Sequence, residues 1–268
     1  RFEESVGGDL PVRSITKTHV RAFKETLLSS KSRRTGRPTS PATARKLLGA
    51  LSSVLTWARR QGYIDANPAQ DITQVAAKDD PDARQLPYDV SDLKTLFSVR
   101  REDGPDHWLP LLALWTGARL GELGQLHVGD VREEEGVYYL AIEPGDGKRV
   151  KTKSSRRRVP VHPELVHLGF LQYVEDQRQA GDRRLFPQLR APGYGLTDVW
   201  SKYWGQHARE LGVTDRRKTF HSFRHAFKDA TRRAGLAEEV HDALTGHSNG
   251  SVGRRYGLGV PLKVLAEA

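Results

Sequence analysis

The stretch "FHSFRHAF", from Phe220 to Phe227, places two histidines and one arginine among phenylalanines. A helix turns by about 100° per residue, so Phe220, Phe223 and Phe227 would share one arc. A second arc collects the basic side chains His221, His225, Lys228 and Arg232, and Arg224 lies at the boundary, near Phe220 and Phe227. The pattern predicts a helix with an apolar ridge and a basic face. Considered alone, such a face is better explained by solvation than by chemistry, because short motifs recur by chance.

A metal site at this helix is disfavoured. His221 and His225 have the i, i+4 spacing of paired ligands, but no glutamate accompanies them in the HExxH arrangement and their neighbours are basic. The chain has no cysteine, which excludes disulfides, thiol nucleophiles and Cys-ligated zinc. The sequence therefore predicts neither a metal ion nor another cofactor.

The charge distribution indicates a polyanionic partner. The 268 residues carry a formal net charge of +10. Residues 1–78 hold 14 Lys or Arg against 6 Asp or Glu, residues 79–147 hold 6 against 15, and residues 148–268 hold 23 against 12. Two basic lobes separated by an acidic section are typical of a protein that grips nucleic acid from two sides, although basic charge can also serve solubility alone.

No segment approaches the roughly 20 apolar residues of a membrane helix, and the run "WLPLLALW" is short and contains Pro110. The start, "RFEESVGGDL", has no signal-peptide core and no methionine. We expect a soluble cytoplasmic protein, present here as a fragment.

The first lobe, residues 1–78, is predicted to be a small helical domain. "SITKTHVRAFKETLLSS" has one apolar face, with Ser14 or Thr16 available as its cap. A basic loop, "KSRRTGRPTSP", precedes a second helix, in which Thr39 or Ser40 comes before Pro41 at the first helical position. Residues 79–87 are polar and contain two prolines, so we assign them to a linker.

Residues 88–268 are predicted to form the second domain. A helix should begin at Ser91, "GVYYLAIEP" is the clearest strand, and "GDGKRVKTKSSRRRVPV" reads as a basic hairpin. The remainder is mostly helical in pattern. The predicted fold class is therefore mainly α with a small antiparallel β-sheet (α+β).

Three further features accompany the basic helix. "TGARLGEL" places Arg119 where a helix begins, so that backbone amides and the guanidinium could bind one anion together; a surface arginine is an equal alternative. The hairpin has seven Lys or Arg between Lys148 and Arg158, which suits either a solvated edge or a mobile lysine proton donor. "ALTGHSNGSVGRRYG" contributes His247 and Tyr256. Together these features describe a phosphoryl-transfer site in which cations replace a metal and a tyrosine attacks.

The chain resembles the tyrosine recombinases, the family of phage integrases and Xer-type recombinases, from about Ile15 to Tyr256. The family order of catalytic residues is matched in "TGARLGEL", "KTKSSRRRVP", "HSFRH", "LTGHS" and "RRYG". The matching positions are Arg119, Lys151, His221, Arg224, His247 and Tyr256. Supporting roles fall to Glu122, which matches an acidic position of the family, to His225 through a hydrogen bond, and to Lys153, which lies two residues from Lys151 and is the alternative general acid.

The resemblance implies a site-specific DNA recombinase or integrase that works through a covalent 3′-phosphotyrosine intermediate, without metal or ATP. It implies a two-lobed DNA clamp, with a helical core-binding domain and a catalytic domain, that acts on double-stranded DNA. The protein would be a homotetramer on paired sites and a monomer without DNA, with room for accessory DNA-bending proteins. The DNA-binding side chains are expected to be Arg33, Arg34, Arg37, Thr43, Arg45, Lys46, Arg156 and Arg157. The alternatives are a type IB topoisomerase and a catalytically silent DNA-binding regulator.

Overall fold

The computed structural model describes residues 1–31, 36, 38–73, 75, 84–99, 101–150, 155–189, 195–247 and 260–268. The chain divides into two compact units, Arg1–Pro81 and Asp82–Ala268. Much of the segment that the sequence assigns to a linker lies outside the described residues. Its last part is bonded to the second unit, because the Leu86 amide donates to the Arg217 carbonyl at 3.2 Å.

The first unit is helical. Its helices are α1 (Phe2–Ser5), a 3₁₀ turn (Val12–Ser14), α2 (Lys17–Ser29) and α3 (Pro41–Arg60). Thr16 caps α2, since its side chain accepts from the His19 amide, and Ser40 caps α3 by accepting from the Thr43 amide. The two helices bury one shared cluster that includes Val20, Phe23, Leu27, Ala44, Leu48 and Leu55. The predicted helices of this lobe and the caps Thr16 and Ser40 are confirmed.

The second unit contains a three-stranded sheet among helices. Its elements are α4 (Val90–Leu96), α5 (Pro105–Thr116), α6 (Leu120–Leu123), a 3₁₀ turn (Val128–Asp130), β1 (Val131–Glu134), β2 (Val137–Ile142), β3 (Arg157–Pro160), α7 (Pro163–His167), α8 (Phe170–Gln179), α9 (Asp198–Glu210), α10 (His221–Arg233), α11 (Glu238–Thr245) and α12 (Leu262–Glu267). The sheet order is β1-β2-β3 and both pairings are antiparallel. The predicted strand and the mainly helical fold with a small antiparallel sheet are confirmed.

Helix α4 begins slightly earlier than the sequence suggested. It starts at Val90, one residue before the predicted Ser91, and Asp89 is its cap. The Asp89 carboxylate accepts from the Asp92 amide at 2.9 Å, and the Asp92 carboxylate accepts from the Asp89 amide at 2.9 Å. This reciprocal capping box satisfies two amide donors, which places the first helical residue at Val90.

The core of the second unit fixes α10. Trp108, Leu109 and Leu112 of α5 are almost fully buried, and Phe223 of α10 is fully buried. The Phe223 ring lies 4.7 Å from that of Tyr88 and 5.6 Å from that of Trp204, centroid to centroid. The phenylalanine ridge therefore anchors the helix whose other face carries the basic residues.

Helix α12 packs on the sheet, where Leu262 contacts Tyr139 and Ala141 of β2. Within the described parts of the chain, no helix combines the length and the apolar character that a membrane crossing requires.

Candidate active site

Arg224 is the best-defined member of the predicted site. It lies on α10, one turn after its start, and only 4% of the residue is exposed. Its Nη1 donates to the Gly117 carbonyl and its Nη2 to the Thr245 carbonyl, both at 2.6 Å. The guanidinium therefore joins the end of α5 to the end of α11. Burial, followed by the charges of Arg119 and Arg157, lowers the pKa of Arg224 to about 10, so it remains a cation at neutral pH.

Arg119 is the cap residue of α6. Its Nη1 lies 2.8 Å from Oε1 of Glu122, and 26% of its side chain remains exposed. The Arg119 amide, which the sequence suggested as an anion ligand, donates instead to Oε2 of Glu122 at 2.9 Å. This amide is therefore already bonded within the turn, whereas part of the guanidinium remains exposed.

Arg157 is buried, which corrects the expectation that it contacts DNA. Only 5% of its side chain is exposed, and its Nη2 lies 2.9 Å from Oε2 of Glu122. It also donates from Nε to the Leu244 carbonyl at 2.8 Å and from Nη1 to the Ser155 carbonyl at 2.9 Å. The strand period gives no signal for this burial: on β3, Arg157 shares a face with the buried Val159, but Arg158 shares the other face with the buried Pro160.

The neighbours of Arg157 in the basic run do point outward. The Arg156 side chain is 72% exposed, and its Nη2 lies 3.8 Å from Oε2 of Glu143. The Arg158 side chain is 41% exposed and bonds to Glu134 at 2.7 Å. Of the three consecutive arginines, the middle one therefore has a buried side chain and the other two have exposed side chains.

Glu122 is charged despite its burial. Burial alone would raise the pKa of this carboxyl, but the ion pair with Arg157 and the bonds from the Arg119 amide and guanidinium outweigh it and hold the pKa below its ordinary value. One buried carboxylate therefore balances the arginines around it.

Three histidines lie at the basic end of this network. The rings of His221 and His225 meet edge to face, with centroids 5.0 Å apart. His247 follows Gly246, the left-handed residue that ends α11. Desolvation and then the charges of His225, Arg224 and Arg119 lower the pKa of His221 to about 4. The pKa values of His225 and His247 are also lowered, first by desolvation and then by Lys228. All three rings are neutral at pH 7.

Lys228, which the sequence pattern places on the basic face without a catalytic role, is a neighbour of the site. It lies on α10, four residues after Arg224 and seven after His221, and it is half-buried. Desolvation and then Arg224 and Arg232 lower its pKa, whereas Asp242 opposes the shift. Its helical spacing from Arg224 was the signal that could have placed it here.

The structure brings together Arg119, Glu122, His221, Arg224, His225 and His247, since Arg119, Arg224 or both shift the pKa of each of the other groups. Lys151, Lys153 and Tyr256 lie outside the described residues, as do Arg33, Arg34 and Arg37. In the first unit, Thr43, Arg45 and Lys46 are exposed in the first turns of α3. Among the residues with described positions, no three His, Asp or Glu side chains are grouped so that they could hold a metal ion.

Comparison with known proteins adds a family and a fold. Residues 90–257 match the model of the phage integrase family. No curated protein sequence matches the chain. The structure is similar to that of the Tn1549 transposon integrase in complex with circular intermediate DNA, with a TM-score of 0.63 and 17% identity over 98% of this chain and 87% of that chain.

Two further solved structures have the same fold. The lambda integrase dimer bound to a COC′ core site has a TM-score of 0.59 at 16% identity, over 95% of this chain and 86% of that one. XerH bound to palindromic difH substrate, in a post-cleavage complex, has a TM-score of 0.65 at 15% identity, over 94% and 71%.

Proposed function

Because the chain belongs to the phage integrase family of tyrosine-type site-specific recombinases, we propose that it cuts and rejoins DNA through a covalent 3′-phosphotyrosine intermediate. The observation that carries the proposal is the cluster of Arg119, Arg224, His221 and His247 in the second unit. These four groups come from three separate segments, the start of α6, helix α10 and the turn after α11, yet the charges of both arginines lower the pKa of both histidines. A bound phosphate would relieve this accumulation of donors and positive charge.

Tyr256 would supply the nucleophile. Its hydroxyl attacks the scissile phosphorus, the bond to the 5′-oxygen breaks, and the phosphate becomes linked to the tyrosine and to the 3′-end. Lys151 gives its proton to the leaving 5′-oxygen. In the second step a 5′-hydroxyl of the partner strand attacks the phosphotyrosine and releases Tyr256. Each step exchanges one phosphoester for another, so no ATP is consumed.

The two arginines would stabilise the transition state. Arg119 and Arg224 clamp the non-bridging oxygens, a task that metal ions perform in other phosphoryl-transfer enzymes. Both side chains are held by groups of the protein itself, Arg224 by two carbonyls and Arg119 by Glu122. A donor that is already oriented costs no reorganisation during the reaction, which is the physical advantage of the buried network.

The histidines would handle protons and bind phosphate. His221 is neutral at pH 7 and can accept the proton of the attacking tyrosine, and His247 donates a hydrogen bond to the phosphate. His225 supports His221 by ring contact.

Double-stranded DNA is the proposed partner of both units. Arg33, Arg34, Arg37, Thr43, Arg45 and Lys46 of the first unit and Arg156 of the second are the proposed contacts. Phosphate neutralisation by such residues makes binding strongly dependent on salt. We further propose a homotetramer on paired sites, a monomer without DNA, and assistance from DNA-bending proteins.

Covalent trapping tests the chemistry. The protein is incubated with a nicked suicide substrate that contains its site, taken from DNA flanking its coding region, and run on a denaturing gel. We expect a protein–DNA adduct that disappears in Tyr256→Phe, while this variant still binds the substrate. An adduct that survives Tyr256→Phe, or no adduct with the true site, contradicts the proposal and in the second case favours a silent DNA-binding regulator.

Plasmid relaxation tests the topoisomerase alternative. A recombinase should join two copies of its site and relax unrelated plasmids poorly. Robust relaxation of any supercoiled plasmid, without exchange between sites, would instead identify a type IB topoisomerase.

A further inference from the structure

Arg157 connects three separate segments of the second unit. Its guanidinium donates to the Ser155 carbonyl before β3, to the Leu244 carbonyl near the end of α11, and to the Glu122 carboxylate on α6. Only 5% of the side chain is exposed, so Arg157 is closed to a phosphate that Arg119, at 26%, can reach. An arginine that is buried and bonds to protein groups can affect a phosphate only through the residues that it holds.

Glu122 is shared between Arg157 and Arg119. Oε1 accepts from the Arg119 guanidinium at 2.8 Å, and Oε2 accepts from the Arg119 amide and from Arg157, both at 2.9 Å. Without Arg157, Oε2 would lose its charged partner. The carboxylate could then turn towards Arg119, neutralise its charge and draw the guanidinium away from the DNA phosphate.

Arg157 also contacts the turn before His247. Gly246 has φ of 65°, and a Cβ at this position would lie 3.0 Å from Nη1 of Arg157. The backbone of this turn therefore packs directly against the guanidinium. Arg157 therefore contacts the turn that carries His247, and it also holds Glu122, the carboxylate that accepts from Arg119.

We propose that Arg157 is a positioning residue that sets Arg119, through Glu122, and the His247 turn in the geometry that binds the scissile phosphate. The proposal rests on the proposed function, because its readout is DNA cleavage. It assigns Arg157 to the inside of the active site and removes it from the DNA-contacting surface.

The primary test is Arg157→Met in the full chain, with Arg158→Met as the matched control. Arg158 is the next residue on the same strand, but its partner is the exposed Glu134. In single-turnover cleavage of the suicide substrate we expect Arg157→Met to be slowed about 100-fold, as a small misplacement of a catalytic group can do. Its DNA affinity should stay within about threefold of the unmodified protein, since the side chain is closed to DNA. Arg158→Met should cleave normally.

A second pair of variants separates positioning from stability. Arg157→Met leaves Glu122 as a buried carboxylate with one partner fewer, and it is expected to melt at a lower temperature. Adding Glu122→Gln removes that charge, so the double variant should regain much of the lost melting temperature. Its cleavage rate should still be at least about tenfold lower than that of the unmodified protein. Recovery of full cleavage together with stability would make Arg157 a structural residue only and overturn the proposal.

The pH profile gives an independent readout. The charged groups that face Glu122 are Arg119, Arg157 and Arg224. With Arg157 removed, burial is opposed by the other two alone and the pKa of Glu122 rises. The acidic limb of the cleavage rate should therefore move to higher pH in Arg157→Met, whereas Arg157→Lys, which keeps the charge, should show a smaller shift. An unchanged limb in a folded Arg157→Met also overturns the proposal.

The unmodified protein serves as the reference for both hypotheses. If it forms no adduct with its site, the proposed function fails. If it forms the adduct and Arg157→Met forms it at the same rate, the proposed function stands and only the role of Arg157 fails.

Discussion

At the scale of single residues, Gly117 has a left-handed backbone with φ of 60°, and its carbonyl accepts a 2.6 Å hydrogen bond from Arg224. A Cβ here would lie 2.4 Å from Cδ1 of Phe227, on the ridge that anchors α10. The residue is therefore constrained both by its conformation and by the ring beside it. These two constraints are a steric reason for glycine in the "TG" that precedes Arg119, and the sequence motif alone does not reveal it.

We predict that Gly117→Ala destabilises the protein by about 2–4 kcal/mol, from left-handed strain and overpacking together. Urea unfolding would measure the change. Adding Phe227→Ala should relieve the steric part, so that the two substitutions are not additive. Gly121→Ala is the control: its nearest contact would be Oγ1 of Thr197 at 3.9 Å, and an effect within about 1 kcal/mol is expected. Equal losses at Gly117 and Gly121 would contradict this account.

The histidines predict how stability depends on pH. The folded protein lowers the pKa of His221, His225 and His247 below the ordinary value of 6.5, with His221 at about 4. Well above pH 6.5 these groups are neutral in both states and contribute no pH dependence, which begins as the pH falls through 6.5. Below it the unfolded chain takes up protons that the folded site resists, so stability falls as the pH drops towards 4.

The measurement is the midpoint of urea unfolding between pH 7.5 and 4.5. We expect a progressive fall that is smaller in His221→Asn, since an amide cannot take up the proton. Acidic groups also titrate towards the lower end of this range, so the difference between the two proteins is the decisive quantity. An identical pH dependence would contradict the lowered pKa of His221.

At the scale of secondary-structure elements, periodicity predicted most of what the structure contains. The 3.6-residue period and the caps placed α2 and α3, and the ridge of Phe220 and Phe223 placed α10. These features are local, so a single sequence contains them. Each also satisfies backbone donors or buries an apolar face within one segment.

Arg157 could not be assigned in this way. In a run of three arginines, charge favours a solvated surface, and the strand period does not single out the middle one, because Val159 and Pro160 on opposite faces of β3 are both buried. Its partner, Glu122, is 35 residues earlier on another element, and the carbonyl of Leu244 is 87 residues later. A buried ion pair depends on tertiary structure, which is why the pattern of one segment could not predict it.

The two candidate general acids lie in the connection between β2 and β3. The two strands pair from Tyr139 with Pro160 to Ile142 with Arg157, so the connection between them holds Lys151 and Lys153. We predict that Lys151→Ala slows cleavage strongly, because the leaving oxygen then lacks a proton donor, and leaves DNA binding near normal. A substrate whose leaving oxygen is replaced by sulfur, which needs no proton, should restore the rate. Normal cleavage in Lys151→Ala, with a loss in Lys153→Ala, would transfer the role to Lys153.

At the scale of the whole molecule, the chain has two compact units with separate cores. The cluster of the first unit draws its buried members from Val20 to Val75, and the main cluster of the second from Tyr88 to Leu265. The proposed DNA contacts are also divided between the units, with Arg45 and Lys46 on the first and Arg156 on the second. Folding should therefore be separable, whereas DNA binding should need both parts.

We predict that fragments 1–81 and 82–268 each fold, because neither core cluster borrows a buried residue from the other unit. Circular dichroism and urea unfolding of each fragment would measure this. The full chain should unfold in two transitions that match those of the separate fragments. Each fragment should bind DNA more weakly than the full chain and lose affinity less steeply with rising salt, since each neutralises fewer phosphates. This division of the molecule would be contradicted if fragment 82–268 remained unfolded alone. It would also be contradicted if either fragment bound the site with the affinity and salt slope of the full chain.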